Sequence, residues 1–149
     1  MREHLAEFVD DFNHSVAEAD ISTDVQPADT ELRVDATQLN QVLTNLVQNG
    51  IRYSSENGSG SKVALGGGID KDSDRPFLNV IDFGLGVTDD QVVNLFRPFS
   101  TTQTKGTGLG LYISRELCEA NQARLTYIRH AGGGSCFRIL FAHPDRISL

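Results

Sequence analysis

Gly106, Gly108 and Gly110 occupy every second position of "GTGLGLYISREL", directly ahead of a stretch with helical periodicity. Glycine costs a helix about 1 kcal/mol per residue relative to alanine, so local stability does not account for the cluster. Anion binding does. Amides at a helix N-terminus lack partners, the dipole makes that end positive, and glycines let the backbone approach phosphate oxygens closely. No Lys-Ser or Lys-Thr follows, unlike a P-loop, and no strand feeds directly into the segment, unlike the dinucleotide fingerprint. Taken alone, the three glycines fit a flexible loop before a tightly packed helix equally well.

Two further groups narrow the choice. In "NVIDFGLGV", Asp82 ends an apolar strand and is followed by Gly84 and Gly86. A carboxylate only accepts hydrogen bonds, so a buried one at a strand end suits an exocyclic amine such as that of adenine. The two glycines would let a flat base pass close to the backbone, although an ordinary Asp-x-Gly turn would look the same. In "QVLTNLVQNGIRY", Asn45, Asn49 and Arg52 fall in a stripe roughly 60° wide at about 100° per residue. The stripe borders an apolar arc. A side-chain carbonyl is a hard oxygen ligand suited to Mg²⁺, and an arginine beside it suits phosphate. A solvated polar edge is the alternative for any one of the three.

These groups need elements to hold them. Residues 2 to about 18 read as a helix with Leu5, Phe8, Val9, Phe12 and Val16 on one face. Residues 20–35 contain two short extended pieces, "DISTDV" and "ELRVD", around Pro27. Residues 37–53 form the clearest helix, with Leu39, Val42, Leu43, Leu46 and Val47 as its apolar arc and Asp35 or Thr37 placed to cap it. "SSENGSGS" is a loop. "KVALGGGID" and "PFLNVIDF" are strands either side of a charged turn. "TDDQVVNLFRPF" is a short helix ending near Pro98, and the polar "STTQTKGTG" is a candidate mobile loop. A helix over "LGLYISRELCEANQ" and a closing hairpin of "ARLTYIRH" and "GSCFRILF" complete the chain. Hairpins imply antiparallel pairing, so an α/β two-layer sandwich, with helices on one face of a mixed sheet, fits better than a doubly wound fold.

The totals exclude several classes. At 149 residues, with 39% hydrophobic and 22% charged content, the chain suits one soluble domain. No apolar run approaches the roughly 20 residues that span a bilayer. The net charge of −7 argues against nucleic acid as a partner. Cys118 and Cys136 have no metal-site spacing and read as buried thiols.

"QVLTNLVQNGIRYS", "DFGLGV", "LFRPF" and "GTGLGLYISREL" together resemble the N, G1, F and G2 boxes of the catalytic ATP-binding domain of sensor histidine kinases, in order and spacing. The resemblance covers about residues 35 to 141. It is nearest to the nitrogen-regulation and type IV pilus sensor subgroup. It implies the Bergerat ATP-binding fold shared with gyrase, Hsp90 and MutL proteins, with ATP and Mg²⁺ as ligands. By resemblance, Asn49 ligates Mg²⁺ and Asn45 supports the metal's water shell or the phosphates. Arg52 touches the phosphates, Tyr53 packs along adenine, and Asp82 bonds the adenine amine, with Gly84 and Gly86 shaping that pocket. Phe96 and Phe99 anchor an ATP lid over residues 97–107 that includes Thr102, Lys105 and Thr107. Gly106, Gly108 and Gly110 form its hinge and phosphate cradle above Leu109 and Leu111. Two departures stand out: Gly50 replaces a commoner alanine, and Lys105 lies two positions later than the usual lid lysine.

None of the four histidines matches the family's acceptor pattern. The resemblance implies the cytoplasmic kinase domain of a membrane-anchored sensor. Its acceptor-histidine (dimerisation) domain lies upstream, residues 1–20 are the helix or linker leading from it, and a response regulator receives the phosphate. This fragment itself would touch no membrane. Hydrolytic relatives carry a glutamate where Asn45 stands, so slow ATP hydrolysis is expected. A GHKL-type ATPase or chaperone-like module, an anti-sigma serine kinase, and a degenerate kinase that binds ATP without transfer are the competing classes.

Overall fold

A computed structural model of the chain describes residues 1–15, 19–98, 109–130 and 133–145. The elements in order are α1 (Arg2–Ser15), β1 (Asp20–Gln26), α2 (Ala36–Glu56), β2 (Lys62–Ile69), β3 (Pro76–Asp82), α3 (Asp89–Val92), α4 (Gly110–Ala120), β4 (Arg124–Arg129) and β5 (Ser135–Leu140). The five strands form one sheet in the order β1-β2-β3-β5-β4. Only β1 and β2 run parallel; the other neighbours are antiparallel. This is the two-layer α/β sandwich with a mixed sheet that the sequence predicts.

Strand side chains alternate between faces, and the register shows which face is covered. Leu65 pairs with Val80, Val80 with Phe137, Leu78 with Ile139, and Ile139 with Leu125. All six are buried and share a core with Leu5, Phe8 and Phe12 of α1, Leu39, Val42, Leu43, Leu46 and Val47 of α2, and Cys118 of α4. The helices therefore cover one face. Asp82 pairs with Val63 and belongs to that same face.

α2 starts where a cap directs it. Asp35 has extended backbone, and its carboxylate accepts from the Gln38 amide at 2.8 Å. Asn121, at the C-cap of α4, donates to Gln38 Oε1 at 2.7 Å and accepts from the Asp35 amide at 2.9 Å. One asparagine thus joins the start of α2 to the end of α4.

Three expectations change. Of the two extended pieces, "DISTDV" becomes β1 but "ELRVD" pairs with no strand: Leu32 and Val34 pack against the core, and the segment delivers Asp35 to its cap. α2 runs on to Glu56, so the expected loop at 54–61 begins later. α3 is four residues long, opened by a Thr88–Gln91 capping box. Beyond Val92 the bonds are of the i to i+3 kind, with Leu95 donating to Val92 and Arg97 to Asn94, so the chain tightens into turns rather than continuing as α-helix. The candidate mobile loop lies outside the described residues.

Candidate functional site

Asp82 ends β3 and is 2% exposed. Its Oδ1 accepts from the amides of Gly84 at 3.0 Å and Ser135 at 3.2 Å. Both bonds fall on one oxygen, and among the described residues no hydrogen bond goes to Oδ2. Burial raises its pKa above the ordinary carboxylate value of 3.8; the two amide bonds, and more weakly His130, oppose that shift. The carboxyl is thus fixed through one oxygen by its own loop and by the start of β5, which leaves the other oxygen able to accept a further hydrogen bond.

The loop after Asp82 is held from two sides. From α2, the buried hydroxyl of Ser54 donates to Lys62 O at 2.8 Å and accepts from the Phe83 amide at 2.9 Å. Asn57 and Ser59 donate to the Phe83 carbonyl at 3.0 and 3.1 Å. From the other side, the Tyr127 hydroxyl accepts from the Val87 amide at 3.2 Å, and Arg129 pairs with Asp89 at 2.6 Å.

Glycines set how closely these parts meet. A Cβ on Gly84 would lie 2.9 Å from Tyr53 Cβ and 3.0 Å from Tyr53 O. The close approach that requires glycine there comes from the end of α2, which the expectation of a base-contacting glycine did not include. Gly134 has φ +79, and a Cβ on it would collide with the Asp82 carbonyl oxygen. Gly50 lets α2 lie on the sheet at this point: a Cβ there would sit 3.1 Å from Val63 Cγ2 and 3.4 Å from Asp82 Cβ.

α2 brings its polar stripe to the same end. Asn45, Asn49 and Arg52 are each half-buried. Asn45 Nδ2 donates to Ser114 Oγ of α4 at 3.3 Å. Arg52 Nη2 donates to Asn49 Oδ1 at 2.6 Å, and its guanidinium carbon lies 5.4 Å from the centroid of the Tyr53 ring. Asn49 Nδ2 is buried and has no hydrogen-bond partner among the described residues. α4 begins just beyond, with Leu109 as its N-cap; among the described residues no side chain caps it, and its first internal bond runs from Ile113 N to Leu109 O at 2.8 Å. Leu111 packs against the core. Gly110 would meet nothing within 4 Å if it carried a Cβ, so packing among the described residues does not demand glycine there.

Phe96 lies edge-on to Phe137 of β5, with ring centroids 6.2 Å apart, and the Arg115 guanidinium carbon is 5.7 Å from its centroid. Of the expected site residues, Asn45, Asn49, Arg52, Tyr53, Asp82, Gly84, Gly86, Phe96, Leu109, Gly110 and Leu111 are described. Phe99, Thr102, Lys105, Gly106, Thr107 and Gly108 lie outside the described residues. Sequence reasoning missed Ser54, Ser114, Gly134 and the Ser135 amide. Ser114 left a usable signal: a small hydroxyl four residues before Cys118 on the buried side of α4. A cavity of about 840 Å³ lies elsewhere, against Met1, Thr30 and Leu32, and none of the expected site residues line it.

A mixed sheet covered on one face by helices, with a buried strand-end carboxylate beside an asparagine-bearing helix, is the architecture of one group of nucleotide-handling domains. The chain belongs to the histidine kinase-, DNA gyrase B- and HSP90-like ATPase family, whose model matches residues 34–145. Among its relatives is the sensor protein kinase PilS of Pseudomonas aeruginosa strain PAO1, 50% identical over 149 residues; the match covers 99% of this chain and 28% of PilS. The chain thus spans less than a third of that sensor. The catalytic domain of the histidine kinase ThkA superposes with a TM-score of 0.78 at 25% identity, over 97% of this chain and 94% of that one. Full-length ShkA, solved in complex with AMPPNP, shares the fold with a TM-score of 0.71 at 23% identity, over 95% of this chain and 30% of ShkA.

Proposed function

We propose that this chain is the ATP-binding catalytic domain of a two-component sensor kinase. It holds Mg-ATP and passes the γ-phosphate to a histidine on an acceptor (dimerisation) domain, for relay to a response regulator. The observation that carries this reading is Asp82, buried with Oδ1 committed to two backbone amides. A pre-set acceptor of this kind selects an amine on a flat ring. Oδ2 accepts from the adenine amine, Tyr53 packs along the base, and Gly84 and Gly86 keep the loop low beneath it.

The remaining roles are those that the family resemblance assigns. The uncapped first turn of α4 at Gly110 and Leu111, with Gly106 and Gly108 before it, presents amides to the phosphates. Arg52 pairs with a phosphate, and Asn45, steadied by Ser114, supports the water shell. Residues 97–107 are assigned to the lid, with Phe96 and Phe99 as its anchors and Thr102, Lys105 and Thr107 among the nucleotide-binding residues. Residues 1–20 lead from the acceptor domain, and the domain works on the cytoplasmic side of a membrane-anchored sensor. No helix among the described residues is long and apolar enough to cross a membrane.

The donor set suits Mg²⁺. Asn49 offers a hard carbonyl oxygen, and the described residues contain no group of three or more His, Cys, Asp or Glu that could cage a metal. A cation here takes most of its shell from phosphate and water, as Mg²⁺ does. When bound, it supplies neutralisation of phosphate charge, and the protein supplies position.

The test is labelling. The chain, a histidine-bearing acceptor fragment of a related sensor and γ-labelled ATP should give an acid-labile, base-stable phosphate on the fragment, with saturable AMPPNP binding to the chain. Binding without label would indicate a degenerate kinase, and absence of both would refute the reading.

A further inference from the structure

The bond between Arg52 Nη2 and Asn49 Oδ1 is 2.6 Å long, short even for a charge-assisted contact. It joins neighbours three residues apart on one helix, so it forms within α2 itself. The donor half of the same amide, Nδ2, is buried with no partner among the described residues. Arginine only donates, so it dictates which way the amide faces. The oxygen it holds is the one that the nucleotide reading gives to the metal. A carbonyl oxygen has two acceptor positions, but two cations sharing it lie within about 5 Å of each other and repel.

We infer that Arg52 is a specificity-determining residue, an inference that rests on the nucleotide reading above. Its guanidinium occupies the metal-binding oxygen of Asn49 until triphosphate oxygens draw it away. The site then takes divalent cation and polyphosphate together and admits the cation alone poorly. The exchange favours the pair because Arg52 gains an anionic phosphate as partner while the Asn49 oxygen is released to the cation in the same event. By linkage, each ligand raises the affinity for the other beyond what their direct contact provides.

Three titrations of this chain test it: Mn²⁺ alone, read by the loss of the free-ion electron paramagnetic resonance signal; AMPPNP alone in chelator; and Mn-AMPPNP. They are repeated with Arg52→Ala and with Arg52→Met, which keeps most of the stem without the charge. The expected result is that both variants bind Mn²⁺ alone about tenfold more tightly than the wild type. The gain persists at about 0.5 M KCl, where long-range repulsion is screened. No gain, or a gain that vanishes with salt, overturns the inference and leaves the nucleotide reading intact. If the wild type fails to bind Mn-AMPPNP, that reading and this inference fall together.

Discussion

The hydroxyl of Ser54, in the last turn of α2, lies 2.9 Å from the amide of Phe83, the residue directly after Asp82. The same hydroxyl donates to Lys62 O at the start of β2. One buried side chain thereby holds the end of the helix, the start of β2 and the loop that orients the acidic residue. Ser54→Ala removes this partner from the part-buried Phe83 amide and Lys62 carbonyl. It should lower stability by about 1–3 kcal/mol, seen as a shift in denaturant midpoint at unchanged slope, and weaken AMPPNP binding severalfold.

Two glycines test how tightly the parts fit. Gly134→Ala places a Cβ on the Asp82 carbonyl at a backbone angle unsuited to alanine. The expected loss is at least about 2 kcal/mol. Gly50→Ala gains about 1 kcal/mol of helix propensity but must fit its methyl 3.1 Å from Val63 Cγ2. Its stability should stay within about 1 kcal/mol of the wild type, whereas Gly50→Val should lose about 1–3 kcal/mol by overpacking. Thermal unfolding of the three variants gives the order.

The buried carboxyl makes stability depend on pH in a defined direction. The pKa of Asp82 is raised in the folded state, so the folded protein binds this proton more readily than the unfolded chain. The charged form destabilises the fold above the raised pKa, and this penalty fades as pH falls through it toward 3.8. Asp82→Asn lacks the penalty. The variant should be at least as stable as the wild type near neutral pH, and its advantage should shrink toward about pH 4. Unfolding midpoints of both proteins across that range supply the check; an advantage that grows with acidity would contradict the assignment.

Asn45 is an amide bonded to Ser114, and an amide is no general base. ATP turnover by this chain without an acceptor should stay near background. Asn45→Glu, which adds a carboxylate at that place, should raise phosphate release by at least about tenfold. Fast release from the wild type would contradict the kinase reading in favour of a hydrolase.

Much of the architecture was legible because periodicity reports burial. The arc Leu39, Val42, Leu43, Leu46 and Val47 announced α2, and the alternation of Leu78 and Val80 announced β3. The same rule misled at Leu32 and Val34, since packing against the core produces alternation without strand pairing. The polar stripe of α2 and the strand-end Asp82 were visible as residue types out of keeping with their surroundings. Ser54 and Gly134 were not, because their roles depend on partners 8 to 29 residues away in sequence or on a backbone approach between β3 and the β4–β5 turn; the small hydroxyl of Ser114 signalled burial but not its partner 69 residues away. Gly84 was singled out with an incomplete reason, because nothing local in "DFGLGV" reveals that Tyr53 lies against it.

The most direct measurement compares Asp82→Asn with the wild type for AMPPNP and for GMPPNP. The Gly84 and Ser135 amides require an oxygen at the Oδ1 position, so an asparagine must present its NH₂ where Oδ2 accepts. A donor then faces the adenine amine, and AMPPNP affinity should fall by about a hundredfold, while GMPPNP, with a carbonyl at that ring position, loses far less or gains. A folded Asp82→Asn variant that binds AMPPNP as tightly as the wild type would contradict the account.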